Sequence, residues 1–305
     1  MNQNFRSNAC LLGTAILWGF AFVAQRDGMG DMGPFMFSAI RMLLGTVSLI
    51  PIFLFTDKRK KARGEKITHM NEGFLWKGGI AAGIIIFIAG NLQQVGLVSV
   101  DAGKTAFITA LYILLVPLFG IFLKHRTSLL NWIAVAVGVV GLYFLCVKSG
   151  FSIAWGDLLV LIGAFFWAFH ILVFDHFAPK VDVAKLVAIQ FLVAGLISLA
   201  VALITETNAV SDILAAAPNL LYTGIGSSAL AFTLQGLGQK HANPTVASII
   251  LSCESMFGAV FGAIFLHEVL AGRELLGCVL MMIAILLAQI PSPSDKNKSV
   301  KKNEV

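Results

Sequence analysis

Charged residues are scarce in this chain of 305 residues. Asp, Glu, Lys and Arg together account for only 12% of the sequence, about half of their share in ordinary globular domains. So few charges do not cover the surface of a water-soluble fold of this size, which excludes soluble enzymes and soluble DNA-binding proteins. Intrinsic disorder is also excluded, because apolar residues make up 58% of the chain. The class that remains is the integral membrane proteins.

Cysteine is equally sparse. The four cysteines all lie inside apolar runs and show no metal-ligand spacing: Cys10, Cys146, Cys253 and Cys278. We therefore expect neither a disulfide framework nor a metal site, and we interpret the cysteines as small packing residues. The segment Gly103-Lys104-Thr105 resembles the end of a phosphate-binding loop, but Val98 stands where that motif requires a glycine. No cofactor and no catalytic residue is predicted.

Apolar residues are arranged in long runs. A helix needs about 20 mainly apolar residues to cross the hydrocarbon core of a bilayer, and ten runs meet this requirement. They cover residues 8–25, 35–56, 74–97, 102–123, 129–147, 157–175, 183–204, 218–238, 244–266 and 272–290. The run at 218–238 is the weakest, because it contains several polar residues and glycines. The sequence therefore predicts an all-α integral membrane protein with ten transmembrane helices.

The positions of the basic residues predict how the chain lies in the membrane. Of the 22 lysines and arginines, the loops on one side hold only four, namely Arg26, Lys104, Lys148 and Arg273. Nearly all the others fall in the loops and termini of the opposite side. Because cytoplasmic loops are enriched in Lys and Arg, both termini are predicted to be cytoplasmic in a multi-pass protein of the cell membrane. This distribution also argues against a nucleic-acid partner, although the net charge is +6.

The two halves of the chain carry similar segments. Residues 15–20 (AILWGF) align with residues 164–169 (AFFWAF), around the first and sixth predicted spans. Residues 92–96 (LQQVG) align with residues 234–238 (LQGLG), in the third and eighth. The order of the matches is the same in both halves. The pattern predicts an internal repeat of five spans.

Three parts follow from this repeat. Residues 1–148 form the predicted first repeat, residues 149–291 the second, and residues 292–305 a basic cytoplasmic tail. Because five spans is an odd number, the second repeat must enter the membrane from the opposite side to the first. Inverted repeats of this kind are typical of transporters that open alternately to the two sides of the membrane.

Three segments are similar to the motifs of a known family. Residues 12–20 (LGTAILWGF), with Arg41 downstream, and residues 156–169 are similar to the openings of its two repeats. Residues 267–278 (HEVLAGRELLGC) are similar to its closing signature, whereas the first repeat has His125-Arg126 where the family often has an acidic residue. On these motifs the chain resembles the EamA branch of the drug/metabolite transporter superfamily. The resemblance implies that family's fold and transport activity, and it favours export over import.

Glu254 lies near the middle of the predicted span 244–266. An acidic side chain at such a depth costs about 2.5–3.5 kcal/mol on insertion scales. Ser248, Ser252 and Ser255 form a hydroxyl stripe on nearly the same face of the helix. We predict that Glu254 and Ser252 bind substrate and that Glu254 pairs with a cationic group or carries a coupling proton. The alternative is a carboxyl group hydrogen-bonded between helices.

Trp18 and Trp167 occupy equivalent positions in the two repeats. Both lie deeper than the tryptophans that anchor helices at the membrane surface. We predict that they form aromatic walls of a substrate cavity, with packing in the core as the alternative. His170, one turn after Trp167, is a further candidate for substrate binding or proton relay. Its alternative interpretation is a neutral, hydrogen-bonded histidine.

Further polar residues recur inside the predicted spans. Thr109 and Tyr112 continue a stripe that begins at Thr105, at spacings of four and three residues. Gln93 and Gln235 occupy equivalent positions in the two repeats. Hydrogen bonding between helices would explain them, but polar residues paired about a pseudo-two-fold axis are also what a site at the membrane midplane requires. We predict Gln93, Thr109, Tyr112 and Gln235 as substrate-binding residues.

Arg41 is interpreted as a structural residue, with contact to the substrate as the alternative. It lies about two turns from the outer end of the second span, where a long side chain can reach the interface or bond to neighbouring carbonyl groups. Its equivalent in the second repeat is Gln190, which is neutral. A mechanism based on paired charges is therefore not predicted here.

These patterns together predict a secondary transporter in the lipid bilayer. It would move a small polar or amphipathic metabolite, either amino-acid-like or an organic cation, by alternating access, as a monomer or homodimer and with a coupling proton. The alternative is a membrane enzyme or lipid-handling protein without carrier activity, although no nucleophile–base pair is recognisable. A channel is a third class, but the polar residues are too sparse to line a continuous pore.

Overall fold

A computed structural model describes residues 3–30, 32–62, 72–100, 102–123, 127–146, 154–265, 271–288 and 290. These residues are almost entirely helical and contain no β-strand. Three features of the sequence lie outside the described residues: His125-Arg126, residues 267–270 of the closing signature, and the basic tail at 292–305.

Helices make up most of the described residues. Their bounds are α1 Gln3–Met29, α2 Pro34–Ala62, α3 Glu72–Ser99, α4 Ala102–Ala110, α5 Tyr112–Phe122, α6 Leu129–Cys146, α7 Trp155–Phe177, α8 Val183–Thr205, α9 Val210–Ala215, α10 Ala217–Leu221, α11 Ala231–Gln239, α12 Pro244–Leu251, α13 Glu254–Phe265 and α14 Gly272–Ala288. A π-helical segment, Tyr222–Leu230, joins α10 to α11 without a turn.

Seven helical stretches of the described chain are long and apolar enough to cross a membrane. They are Gln3–Met29, Pro34–Arg59, Glu72–Ser99, Ala102–Phe122, Trp155–Lys180, Val183–Thr205 and Pro244–Phe261. Each coincides with a predicted span. The predicted span 129–147 falls on a shorter apolar helix, Leu129–Phe144, and the spans 218–238 and 272–290 fall on the α10–α11 stretch and on α14. The protein is therefore a multi-pass helical membrane protein.

Three pairs of helices, each with one helix from either half of the chain, run antiparallel. In the pair α2 and α8, the Thr46 hydroxyl donates to the Ala188 carbonyl at 3.3 Å. Leu43, earlier in α2, lies against Gly195, later in α8. The pairs α3–α7 and α6–α14 show the same reversed order, in contacts of Gly78 with Phe177, Gly96 with Gly156, Gly138 with Ala284 and Gly141 with Gly277.

The first helix is held against the second half along its whole length. Ser7 donates to the Gly238 carbonyl, Thr14 donates to the Ala231 carbonyl at 3.0 Å, and the Trp18 indole donates to the Ser227 carbonyl at 3.1 Å. Residues later in α1 thus contact residues earlier in the stretch formed by the π-helical segment and α11. α1 is antiparallel to this stretch, as α7 is to α3.

α1 also approaches α13 closely, at Gly19. A methyl group on Gly19 would lie 2.8 Å from the Glu254 carbonyl oxygen and 2.8 Å from the Gly258 nitrogen. These distances are shorter than van der Waals contact, so a residue without a side chain is required there. The contact places the beginning of α13 against the middle of α1.

Two of the crossing helices are broken inside the bundle. Only Leu111 separates α4 from α5, and only Ser252 and Cys253 separate α12 from α13. In each case the next residue, Tyr112 or Glu254, begins the following helix. Interrupted and π-helical turns inside a helix are frequent at functional sites. Both breaks and the π-helical segment border the cavity described next.

Candidate functional site

A cavity lies between helices from both halves of the chain. Residues of α1, α2, α3, α4, α5, α7, the π-helical segment, α11 and α13 contribute to its wall. About 500 Å³ within it is not filled by protein atoms, including the part that opens to the outside. The lining combines aromatic surface with amides, hydroxyls, a carboxyl group and a guanidinium, a mixture typical of small-molecule sites.

Most of the predicted site residues line this cavity. The residues that do so are Trp18, Gln93, Thr109, Tyr112, Trp167, Gln235 and Glu254. They come from seven different helices, and most of them lie far apart in the sequence, so the folding of the bundle brings them together. His170 and Ser252, which were predicted with them, do not line the cavity.

Three aromatic rings form one side of the cavity. The ring centroids of Trp18 and Trp167 are 6.3 Å apart, and Phe232 lies 4.8 Å from Trp18 and 6.1 Å from Trp167. The Trp167 indole donates to Oε1 of Gln93 at 2.7 Å. Both indole nitrogens are thus paired within the protein, while the rings pack on each other and also face the cavity. Trp18 and Trp167 therefore have both of the roles considered for them: they line the cavity, and they also pack in the core.

Tyr112 and Glu254 meet across the cavity. The Tyr112 hydroxyl donates to Oε1 of Glu254 at 3.1 Å, and both side chains are buried. The two residues are 142 positions apart, which is also the spacing between Gln93 and Gln235. Because each of them follows a helix break, the bond joins the two broken helices at equivalent points. Glu254 is hydrogen-bonded between helices, as its alternative interpretation stated, and it also lines the cavity.

Several polar atoms around the cavity have no hydrogen-bond partner in the described residues. They are Oγ1 of Thr109, both amide atoms of Gln235 and Nε of Arg41. Buried polar groups in proteins are nearly always hydrogen-bonded. Such groups can be satisfied by water or by a polar ligand, so the wall of the cavity offers donors and acceptors that the protein itself does not use.

His170, predicted to bind substrate or relay protons, does not line the cavity. His170 is fully buried, and its Nε2 pairs with Oε1 of Gln190 at 3.1 Å. The ring packs on Phe174 and Phe232, at centroid distances of 4.6 and 5.6 Å. Three residues turn a helix by about 300°, so His170 faces α8 while Trp167 faces the cavity. This environment matches the alternative of a packed, hydrogen-bonded histidine.

Ser252, predicted to bind substrate, does not line the cavity either. Its hydroxyl donates to the Ile249 carbonyl at 2.8 Å, and the residue is fully buried. The predicted serine stripe assumed an unbroken helix, whereas α12 ends at Leu251 and α13 begins at Glu254. Ser248 bonds within α12, to the Thr245 carbonyl, and Ser255 donates to the Ala106 carbonyl of α4 at 3.1 Å. The serines therefore stabilise the broken helix and its packing.

Both halves of the chain match a known protein family. The sequence pattern of the EamA-like transporter family matches the chain twice, over residues 6–147 and 154–289. The chain belongs to the EamA-like transporter family. The resemblance seen in the sequence motifs is thereby confirmed. The first match contains Trp18, Gln93, Thr109 and Tyr112, and the second contains Trp167, Gln235 and Glu254.

Relatives of this EamA-like transporter are named as transporters in archaea and bacteria. An uncharacterized transporter of Archaeoglobus fulgidus is 27% identical over 90% of this chain and 83% of its own length. The uncharacterized transporter YoaV of Bacillus subtilis is 24% identical over 91% and 94%. The uncharacterized inner membrane transporter YedA of Escherichia coli K12 is 23% identical over 90% and 88%. These names indicate a transporter rather than an enzyme.

A solved crystal structure shares the fold of this EamA-like transporter. It superposes with a TM-score of 0.74 and covers 93% of this chain and 96% of its own, at 19% sequence identity. At this identity the likeness concerns the fold alone. It shows that the helical arrangement around the cavity is one that a known protein adopts.

Sequence reasoning missed half of the cavity wall of this EamA-like transporter. The additional lining residues are Ala21, Phe22, Gln25, Arg41, Ile171, Ser227 and Phe232. Arg41 was interpreted as structural, yet it lines the cavity and is only 7% exposed. One signal was available: it is a lone arginine inside an apolar run, and charged residues there mark functional sites by default. No signal in the sequence distinguishes Phe232 from the other phenylalanines of the chain.

Proposed function

We propose that this EamA-like transporter is a secondary transporter of ten membrane-crossing helices in two inverted repeats of five. It binds a small polar or amphipathic metabolite, amino-acid-like or an organic cation, in the cavity between the repeats. Binding from one side and release to the other occur by alternating access. The direction of transport is export across the cell membrane, and both termini are cytoplasmic.

The directions of the helices support the inverted arrangement. In two inverted repeats of five, α2 corresponds to α8 and α6 to α14, and corresponding helices run in opposite directions. α2 is antiparallel to α8, and α6 is antiparallel to α14. The repeat boundaries at 1–148 and 149–291 enclose the two segments that match the family, and the tail at 292–305 follows the second repeat.

The observation that carries the proposal is the origin of the cavity wall. Each half contributes a tryptophan, a glutamine and a residue at a helix break: Trp18, Gln93 and Tyr112 from the first, and Trp167, Gln235 and Glu254 from the second. The first half also contributes a second glutamine, Gln25. A site shared by two repeats changes its access when the repeats tilt against each other. A site within one repeat would not respond in this way.

The proposed roles follow from these positions. Trp18 and Trp167 bound the apolar part of the substrate, and Gln93, Thr109 and Gln235 form hydrogen bonds with its polar groups. Glu254 pairs with a cationic group or exchanges the coupling proton. The protein works as a monomer or homodimer.

Counterflow in liposomes tests the transport function. The purified protein is first screened by thermal shift against amino acids, amines, nucleosides and vitamins, because a compound that binds only the folded form raises its melting temperature. Each stabilising compound is then loaded into proteoliposomes at high concentration, and uptake of the labelled compound from outside is followed. We expect saturable accumulation that exceeds equilibrium transiently. Non-saturable flux or the absence of counterflow contradicts a carrier and leaves the enzyme or lipid-handling alternative.

A matched pair of tryptophan variants tests the site. Trp167→Ala removes an aromatic wall of the cavity, whereas Trp76→Ala changes an exposed tryptophan at the beginning of α3. We expect Trp167→Ala to weaken binding of the transported compound about tenfold or more, since burial of an aromatic ring contributes a few kcal/mol. Trp76→Ala serves as the control and should leave binding unchanged.

A further inference from the structure

Arg41 is a buried cation in the wall of the cavity. Its side chain lines the cavity and is 7% exposed. Its Nε has no hydrogen-bond partner, and no ion pair of Arg41 occurs among the described residues. A buried charge without a partner costs several kcal/mol, which an anion bound beside it recovers. The guanidinium is therefore placed and available to receive a negatively charged group.

Gln190 occupies the equivalent position in the second half and has one hydrogen-bond partner within the protein, whereas its Nε2 has none among the described residues. The spacing of 149 residues from Trp18 to Trp167 leads from Arg41 to Gln190. Gln190 is fully buried, and its Oε1 pairs with Nε2 of His170 at 3.1 Å. Gln190 does not line the cavity, because its hydrogen bond is made inside the bundle.

The first half lacks the residues that would satisfy Arg41 in the same way. The spacing of 149 leads from His170 back to Ala21, whose methyl group forms no hydrogen bond. The spacing of 142 leads from Phe232 back to Gly90, which lies beside the guanidinium and has no side chain. The volume that a histidine and a phenylalanine fill in one half is thus occupied by a methyl group and a hydrogen atom in the other. Space and an unpaired cation occur together.

An acidic side chain, that of Glu254, lines the same cavity as Arg41. Glu254 presents a carboxyl group that is bonded to the Tyr112 hydroxyl through one oxygen. Arg41 and Glu254 are not joined by an ion pair, although no other described residue with an ionisable carboxyl or guanidinium group lines the cavity. A cavity with a separated cation and carboxyl group is complementary to a ligand that carries both charges.

We infer that Arg41 binds the carboxylate of the transported molecule and that the substrate class is a zwitterion with an apolar body, its amino group directed toward Glu254 and Tyr112. The planar guanidinium offers parallel N–H donors that match the two oxygens of a carboxylate, and the rings of Trp18, Trp167 and Phe232 bound the apolar body. The inference rests on the proposed function and selects the amino-acid-like substrate over the organic cation.

Binding measurements with charge-matched probes test this inference. Isothermal titration calorimetry compares L-phenylalanine with phenylalaninamide, phenethylamine and 3-phenylpropionate, and L-leucine with leucinamide, 3-methylbutylamine and 4-methylpentanoate. Within each set the apolar body is constant and the charges are removed singly. We expect wild-type protein to bind at least one amino acid about tenfold or more tightly than its amide and its amine.

Variants of Arg41 connect this preference to the guanidinium. Arg41→Gln should weaken binding of the preferred amino acid about 30-fold and leave its amide within about threefold of wild type, because loss of one partner of a buried charge pair is costly. Arg41→Lys keeps the positive charge but lacks the planar guanidinium, so its affinity for the amino acid should lie between those of wild type and Arg41→Gln. Arg26→Gln removes an exposed arginine in the last turn of α1 and serves as the control.

The possible results separate this inference from the proposed function. The inference is overturned if the wild type binds amines or amides as tightly as amino acids, if Arg41→Gln keeps the preference for the carboxylate, or if none of the eight probes binds. The comparison within the wild type needs no variant and so does not depend on the folding of Arg41→Gln. Counterflow of a compound without a carboxylate would support the transporter and contradict the zwitterion, whereas binding without counterflow would contradict the transporter alone.

Discussion

Each half has a broken helix beside the cavity, and the residues that follow the two breaks differ in chemistry. In the first half, α4 and α5 are separated at Leu111, and Tyr112 follows; in the second, α12 and α13 are separated at Ser252 and Cys253, and Glu254 follows. The two residues after the breaks are bonded to each other. The backbone is thus repeated, but one copy supplies a hydroxyl donor and the other a carboxyl acceptor. A repeated scaffold can hold an asymmetric site.

A second difference concerns packing around the cavity. His170, Gln190 and Phe232 of the second half are buried together, with the imidazole bonded to the amide and packed on the ring. The first half has Ala21 and Arg41 at the positions equivalent to the histidine and the glutamine, and both line the cavity. One half therefore forms a closed core where the other leaves space. Substitution of a residue in one half at a time therefore separates what each half contributes.

Glu254→Gln removes the acidic partner that only the second half supplies. If Glu254 exchanges the coupling proton, uptake driven by a pH gradient should fall about 30-fold or more, because a buried charged group is lost, and the remaining rate should no longer depend on pH. The measurement is initial uptake into proteoliposomes between pH 5.5 and 8.5. Glu72→Gln, at the exposed beginning of α3, is the control. An unchanged rate and pH profile would remove the proton role.

Gly19→Ala gives the first half the residue that the second half has at the equivalent position, Ala168. The added methyl group would lie 2.7 Å from Cβ of Phe257 and 2.8 Å from the Glu254 carbonyl oxygen. We expect a loss of about 2 kcal/mol in the free energy of unfolding, since overpacking of a core forces helices apart. Thermal unfolding in detergent measures it. Gly103→Ala is the control, because no atom lies within 4 Å of the added methyl group.

His170→Leu breaks the filled core of the second half. The substitution leaves Oε1 of Gln190 buried without its partner, which should cost about 1.5 kcal/mol of stability. Because His170 does not line the cavity, the affinity for the transported compound should change less than threefold. Thermal unfolding and calorimetry on the same preparation separate the two effects. A large loss of affinity with unchanged stability would place His170 in the site after all.

Tyr112→Phe removes only the hydroxyl that joins the two broken helices. One hydrogen bond to Glu254 is lost while the ring remains, so binding should weaken about fivefold, equivalent to about 1 kcal/mol. Tyr143→Phe changes an exposed tyrosine of α6 and is the control. If Tyr112→Phe had the effect of Glu254→Gln, the hydroxyl and the carboxyl group would act as one proton-exchanging unit.

Much of the architecture was predictable because it depends on local composition. Apolar runs of sufficient length became helices at nearly the predicted bounds, and the family motifs around Trp18 and Trp167 were identified correctly. The helix breaks were not predicted, since neither Leu111 nor Ser252-Cys253 is a glycine or proline. These breaks occur where helices from the two halves meet, so packing between distant segments decides them.

The wall of the cavity was predictable only where a polar or aromatic residue stood alone in an apolar run. Trp167 and Glu254 are such residues, and both line the cavity. His170 met the same criterion but faces α8, because its spacing of three residues rotates its side chain by about 60° from that of Trp167. Phe232 resembles many other phenylalanines and was missed. A sequence shows which side chains are costly to bury, but not which direction each one faces.

The sequence by itself determined that the chain is helical and membrane-embedded, because hydrophobic runs and scarce charges act through solvation alone, residue by residue. It also determined the family, through motifs that are local. Only the tertiary structure decided that Tyr112 meets Glu254, that His170 pairs with Gln190, and that Arg41 faces open space. Each of these depends on the side chains that another helix presents at the same depth, and that register is set by the packing of the whole bundle.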